Sequence, residues 1–192
     1  MSSCRIIAFA GSSRRDSFNK KLVRIAAEGA RSAGAEVTVI DLADFAMPIF
    51  DEDLEKASGM PEAARRFKGL LKSHQGMLIS SPEYNSSISA LLKNAIDWAS
   101  RPEPGDTPLV AFAEKVAGIM AASPGALGGL RGLVTLRMIL SNIQVMVVPD
   151  QVAIPNAHEV FDSAGGMKDE KKRAAAEAIG RRVALVTGKL AG

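Results

Sequence analysis

The chain has very little cysteine and very little histidine. Cys4 is the one cysteine in 192 residues, and His74 and His158 are the two histidines. A lone cysteine cannot close an intrachain disulfide, and this set does not supply the four ligands of a His/Cys zinc cluster, so no metal site is expected. Neither sign of charge dominates. Lys and Arg total 24 against 21 Asp and Glu, a net of +3. That balance is compatible with an anionic ligand, but it lacks the dense basic patch of a nucleic-acid binder. No apolar run reaches membrane-spanning length. The short apolar run after Arg5 has no cleavage site behind it, so no secretory signal is expected and the cytoplasm is the expected compartment. Nor is there an internal repeat, a low-complexity tract or a break in composition. Hydrophobic residues make up 47% and charged residues 23%, an ordinary globular balance, and residues 1–192 are expected to form a single domain.

What is present is an alternation of strands and helices. Short apolar and β-branched runs predict strands at Arg5–Ala10, Glu36–Ile40, Met77–Ser80, Lys115–Ala121 and Gln144–Val148. Helical spacing predicts helices over about 17–33, 61–73, 89–100, from the glycine-rich 123–132 stretch to about Ser141, and over 168–188. Residues 41–60 read as irregular and acidic, and 101–108 and 149–166 as loops. Five strands alternating with five helices imply a parallel sheet with helices on both faces.

In such a sheet, ligands sit beyond the carboxyl ends of the strands. Three loops there are unusual. The first, Gly11-Ser12-Ser13-Arg14-Arg15-Asp16-Ser17-Phe18-Asn19, joins a buried strand to a helix start. Unpaired N–H groups and the helix dipole favour an anion there, and the hydroxyls of Ser12, Ser13 and Ser17, the Asn19 amide and Arg14 or Arg15 add short donors. A phosphate monoester needs that density. The competing reading has Ser17 as a plain helix cap and the arginines solvated. The second loop, Ser81-Pro82-Glu83-Tyr84-Asn85-Ser86, places a proline and an aromatic where they could bound a flat ligand; alone it would read as an ordinary turn. The third, Ser123-Pro124-Gly125-Ala126-Leu127-Gly128-Gly129, lets backbone approach a ligand closely. It matches neither the dinucleotide fingerprint nor a Walker A loop.

Together, Gly11-Ser12-x-Arg14-x-x-Ser17-x-Asn19, Pro82-Glu83-Tyr84-Asn85 and Ser123-Pro124-Gly125 resemble the NAD(P)H-dependent FMN reductases, a group that includes quinone, azo-dye and chromate reductases. The resemblance covers roughly the first 150 residues. It implies a flavodoxin-like three-layer α/β fold with a five-stranded parallel sheet of order 2-1-3-4-5, tightly but non-covalently held FMN, and NADPH or NADH as hydride donor. It also implies a homodimer or homotetramer. Carried over, Ser12, Arg14, Ser17 and Asn19 would hold the FMN phosphate, beside Gly11 and Ser13 of the same loop. Pro82, Glu83, Tyr84 and Asn85, with Ser86, would line the ring and ribityl chain. Ser123 and Gly125, with Pro124, would border the ring.

The cofactor would carry the hard chemistry, so no catalytic side chain is expected. Hydride would pass from NAD(P)H through FMN to a small acceptor such as a quinone, azo compound, free flavin or chromate, by a ping-pong scheme. Backbone N–H groups of the second or third loop would stabilise the reduced flavin. A flavodoxin-type electron carrier is the main alternative, but such carriers are strongly acidic. A receiver domain lacks its acidic residues here, with Gly11 and Ser80-Ser81 in their places, and a serine hydrolase lacks its GxSxG elbow. Elsewhere, Arg101 reads as a nicotinamide-phosphate or subunit contact, or as solvated. Trp98 reads as core or subunit packing, His74 as a helix-end residue and Asp51-Glu52-Asp53 as a solvated run.

Overall fold

The computed structural model describes residues 4–190. In chain order the elements are β1 (Arg5–Ala10), α1 (Phe18–Ser32), β2 (Glu36–Val39), a 3-10 turn (Leu42–Asp44), α2 (Glu52–Ser58) and α3 (Glu62–Ser73). There follow β3 (Gly76–Ser80), α4 (Ala90–Ala99), β4 (Val116–Ala122), α5 (Leu130–Asn142), β5 (Met146–Ile154), α6 (Ala157–Val160) and α7 (Glu170–Leu190). The strands are all parallel, in the order β2-β1-β3-β4-β5.

Both faces of the sheet are covered, which is why β1, β3 and β4 read as unbroken apolar runs. Alternate side chains go to opposite sides. Ile6, Ala8, Leu78 and Met120 pack with α1 and α7. Ile7, Phe9, Met77 and Ile119 pack with α3, α4 and α5. Helices α1 and α7 meet backbone to backbone. A Cβ on Gly29 would lie 2.0 Å from the Glu177 carbonyl oxygen, and one on Gly180 1.8 Å from that of Ala26. Only glycine permits that crossing.

The structure differs from the sequence expectation in the 3-10 turn Leu42–Asp44, in α6, which lies within the expected 149–166 loop, and, with more consequence, in α2 and β5. Helix α2 lies in the segment expected to be irregular. It buries no residue, so it leaves no apolar periodicity to read. Its N-terminus is capped by Asp51, whose carboxylate accepts from the Asp53 and Leu54 N–H groups at 2.7 and 3.3 Å, so that acidic residue is not merely solvated. Strand β5 continues through Pro149 to Ile154, with its register against β4 shifted between Ala117 and Ile119. Proline is tolerated there because β5 is an edge strand with an irregular ladder.

Candidate active site

The loop after β1 keeps its donors open. Gly11 N–H continues the β-ladder to the Ser80 carbonyl at 2.9 Å. Among the described residues, none of the N–H groups from Ser12 to Lys20 donates to a protein acceptor. Ser17, a buried residue, occupies the N-cap position of α1 but makes no capping hydrogen bond, so its hydroxyl is not consumed by the helix. Ser12 is also buried, while Ser13, Arg14 and Arg15 are exposed. Arg14 makes one long contact, 3.5 Å to the Asp16 carbonyl. The Asp16 carboxylate pairs with Lys21 at 2.7 Å, and this hydrogen-bonded ammonium holds its pKa below the ordinary value.

A second helix start converges on the same place. Ser89 caps α4 by accepting from the Leu92 N–H at 3.1 Å, and it donates to the Gly11 carbonyl at 2.6 Å. A Cβ on Gly11 would stand 2.9 Å from the Leu92 Cβ, so glycine lets α4 abut the end of β1. Among the described residues, the N–H groups of Ala90 and Leu91 are left without protein acceptors. Gly11, Ser12, Ser13 and Arg14 face Tyr84, Ser89, Ala90 and Leu91 across a cavity of about 330 Å3. Sequence reasoning missed the α4 end. A serine ahead of an apolar helix was the available signal, but only the tertiary fold brings it to the first loop.

The second loop is a tight turn. Tyr84 and Ser87 exchange both N–H···O bonds at 3.0 Å. Asn85 and Ser86 between them have φ of 52° and 65°, the signature of a type I′ turn. Tyr84 is 55% exposed and forms one wall of the cavity. Glu83 is an anchor. Its carboxylate accepts from Arg131 Nε at 2.9 Å and from the Gly132 N–H at 3.0 Å, fastening the turn to the start of α5. Burial alone would raise the Glu83 pKa, but the Gly132 N–H and the Arg131 guanidinium outweigh it and hold it below the usual value.

Asn19 is likewise turned inward. Its Oδ1 accepts from Ser80 Oγ at 2.8 Å and from the Ala122 N–H at 2.9 Å, and its Nδ2 donates to the Ala122 carbonyl at 2.9 Å. These bonds tie the first turn of α1 to the ends of β3 and β4. The amide expected among the open donors of the loop is instead committed to the sheet.

The third loop is also largely committed. Ser123 N–H donates to the Ile154 carbonyl at 3.1 Å, the Ser123 carbonyl accepts from Ala157, and Ser123 Oγ accepts from the Gly125 N–H at 3.1 Å. Pro124 and Gly125 are exposed at the same sheet edge, but none of the three lines the cavity. The structure thus joins the first and second loops and leaves the third beside them.

Arg101 is partly exposed and does not line the cavity. It forms a bidentate pair with Glu55 at 3.0 Å and lies over the Phe50 ring, 5.2 Å from its centroid. It holds α2 against α4. Trp98 is fully buried in a small cluster with Met60 and Ala64, and its Nε1 donates to the Pro48 carbonyl at 2.8 Å. His74 is buried, with Nδ1 2.7 Å from the Leu70 carbonyl and Nε2 2.9 Å from Thr38 Oγ1. Among the described residues no cluster of His, Cys, Asp and Glu could hold a metal ion, and no helix is long and apolar enough to cross a membrane.

A parallel sheet in the order 2-1-3-4-5, with open donors beyond β1, defines a flavodoxin-like protein whose pocket favours an anion. Residues 4–159 match the NADPH-dependent FMN reductase family. The chain is 34% identical over 170 residues to an NAD(P)H-dependent FMN reductase of Pseudomonas aeruginosa, covering 88% of this chain and 87% of that protein. It is 33% identical over 164 residues to a quinone reductase of Pseudomonas putida, covering 84% and 83%. Among solved structures, FerB, a flavoenzyme NAD(P)H:(acceptor) oxidoreductase from Paracoccus denitrificans, superposes with a TM-score of 0.80 at 26% identity, over 97% of this chain and 98% of that one. The chain belongs to the NADPH-dependent FMN reductase family and is a flavin-dependent oxidoreductase using FMN and NAD(P)H.

Proposed function

We propose that the chain passes reducing equivalents from NAD(P)H through FMN to a small oxidised acceptor of the quinone class, with donor and acceptor using one site in turn. The observation that carries this reading is the uninterrupted run of open N–H donors from Ser12 to Lys20, with the uncommitted hydroxyls of Ser12 and Ser17. These groups fit a phosphate monoester, whose several oxygens each need a donor. Bound there, FMN supplies two-electron acceptance and release, chemistry that no side chain of the pocket offers.

The chain's own part is to bind and orient. Ser12, Ser13, Arg14 and Ser17 hold the phosphate end, while Asn19 keeps the loop seated on β3 and β4. Tyr84 shields one side of the ligand, and Glu83 fixes the turn that carries Tyr84. The N–H groups of Asn85 and Ser86 have no protein acceptor among the described residues and stand ready to meet negative charge at the ligand's polar edge. Pro124 and Gly125 border the site from the β4 side. Free flavins, azo compounds and chromate are further acceptors to try. The names of the Pseudomonas putida and Pseudomonas aeruginosa relatives support quinone and flavin first.

A second copy of the chain belongs to the same reading. Leu130, Val134 and Met138 are 43, 66 and 64% exposed at four-residue intervals along α5, one uncovered apolar stripe. It adjoins the site, since Thr135 reaches the Ser86 carbonyl at 3.4 Å. We assign this stripe to a homodimer or homotetramer contact, and light scattering on Val134→Lys, expected to yield monomer, tests it.

The function itself is tested by absorbance of the purified protein and by adding NADPH under argon. A flavin spectrum that bleaches, then returns on adding a quinone, is expected, with parallel lines in double-reciprocal kinetics. A protein that cannot be loaded with FMN would overturn the reading. One that loads but turns over no acceptor would favour the electron carrier.

A further inference from the structure

A larger cavity, about 410 Å3, opens on the other side of β1. Its floor is apolar: Ala10 and Val39 end β1 and β2, and Val23 and Ile40 adjoin them. Its rim is ionic, with Lys20 and Arg24 from α1, Asp41 and Asp44 after β2, and Arg66 from α3. The volume is in the range of small-molecule sites. None of these side chains takes part in the flavin site.

The five charges of this rim are unequally committed. Lys20 and Asp41 neutralise each other at 2.5 Å, and Asp41 also accepts from the Ala43 N–H at 3.0 Å. Arg66 lies over the Phe45 ring, 5.1 Å from its centroid, and gives one N–H to the Asp44 backbone carbonyl at 3.2 Å. It is held in place with the rest of its N–H fork unspent. Arg24 has neither an ion pair nor a hydrogen bond among the described residues. Glu28, one turn further along α1, is taken by Arg31 at 2.5 Å. The Asp44 carboxylate likewise has no partner among the described residues. Two guanidiniums and one carboxylate are thus left open around an apolar floor.

That set disfavours the simplest ligands. A plain anion would suit the guanidiniums but face Asp44, and a plain cation would be repelled by both arginines. A molecule with an anionic and a cationic group on an apolar body satisfies all three. The two kinds of charge are also neighbours: Arg66 bonds to the Asp44 backbone, yet its guanidinium and the Asp44 carboxylate form no ion pair. Opposite charges held close but unpaired can be bridged by the carboxylate and ammonium of a single α-carbon. We propose that this cavity binds a free α-amino acid with an aliphatic side chain, at a site separate from the flavin pocket. Its carboxylate takes the N–H forks of Arg66 and Arg24. Its ammonium donates to Asp44, and its side chain covers Val23, Val39 and Ile40.

The test is calorimetry on the FMN-saturated chain with L-leucine as probe. Isocaproate, which lacks the ammonium, and isopentylamine, which lacks the carboxylate, are the matched controls. Leucine should bind with a Kd of about 1 mM or below, and each control at least about tenfold more weakly. Asp44→Asn should bring leucine down to the level of isocaproate, and Arg24→Ala to that of isopentylamine, while FMN affinity and the melting temperature without leucine stay unchanged. No saturable binding of leucine would overturn the assignment. So would isocaproate binding as tightly as leucine, or a leucine affinity unaltered in either variant. None of these readouts depends on flavin turnover, so their failure leaves the function proposed above standing.

Discussion

The two ends of the same strands treat polar groups in opposite ways. At the amino edge, nearly everything is spent. Lys115, buried in front of β4, donates to the His74 carbonyl at 2.6 Å. Both His74 ring nitrogens have partners, and Gln75 accepts from the Arg5 N–H at 3.0 Å. Asp106 in the loop before β4 binds the ammonium of buried Lys68 and, at 2.6 Å, that of Lys72. At the carboxyl edge, the loop after β1 keeps a run of N–H groups and the hydroxyls of Ser12 and Ser17 open. A polar group buried for stability must find a protein partner. One kept for a ligand must not. The contrast runs within the carboxyl edge as well: Asn19, Glu83 and Ser123 are spent on protein partners as anchors, while Ser12 and Ser17, the binders of the proposed function, have none among the described residues.

Substitutions can sharpen or break that contrast. The largest stability loss is expected from Asn19→Ala, which strips partners from Ser80 Oγ and from both backbone groups of Ala122. Leaving three buried groups unsatisfied should cost about 4 kcal/mol in urea unfolding. A small loss would mean that water replaces the amide and that Asn19 belongs with the binders.

Asp106→Asn should cost about 3 kcal/mol at pH 7, since it leaves the buried Lys68 ammonium without its main counter-charge. Hydrogen bonds from Lys68 and Lys72 hold the Asp106 pKa far below the ordinary carboxylate value. Its stabilising effect is therefore complete above about pH 4 and fades as pH falls further. The gap between wild type and variant should narrow in unfolding curves below that pH, and FMN affinity at pH 7 should not change.

Ser17→Asp acts at the other edge. A carboxylate in the phosphate loop should weaken FMN binding by roughly 100-fold, about 2.7 kcal/mol, with little change in melting temperature. Fluorescence titration of FMN reads it. An equal loss in affinity and stability would place Ser17 among the anchors.

The smallest effect concerns the exception at the amino edge. Thr187 Oγ1, packed beside Gly76, is the one buried side-chain polar atom without a partner among the described residues. Thr187→Val should stabilise by about 1 kcal/mol, read from the same urea curves.

Much of this molecule was legible in the chain. Strands such as Arg5–Ala10 announce themselves because a strand buried on both faces must be apolar throughout, and the open loop after β1 announces itself because short donors crowd a strand-to-helix turn. Helix α2 was hidden, because Glu55 and Arg101 secure it from 46 residues apart rather than by an apolar face. The end of β5 was hidden by Pro149.

The sequence by itself determined the alternation of elements, the parallel sheet and the place where an anion is welcome, since these depend on local periodicity and on the loops that end the strands. Tertiary structure decided which polar residues remain available. Asn19 is consumed by a residue 103 positions away, Glu83 by one 48 away, and the start of α4 joins the site by packing against Gly11. Hydrogen-bond satisfaction is settled by neighbours in space, and a one-dimensional pattern does not contain them.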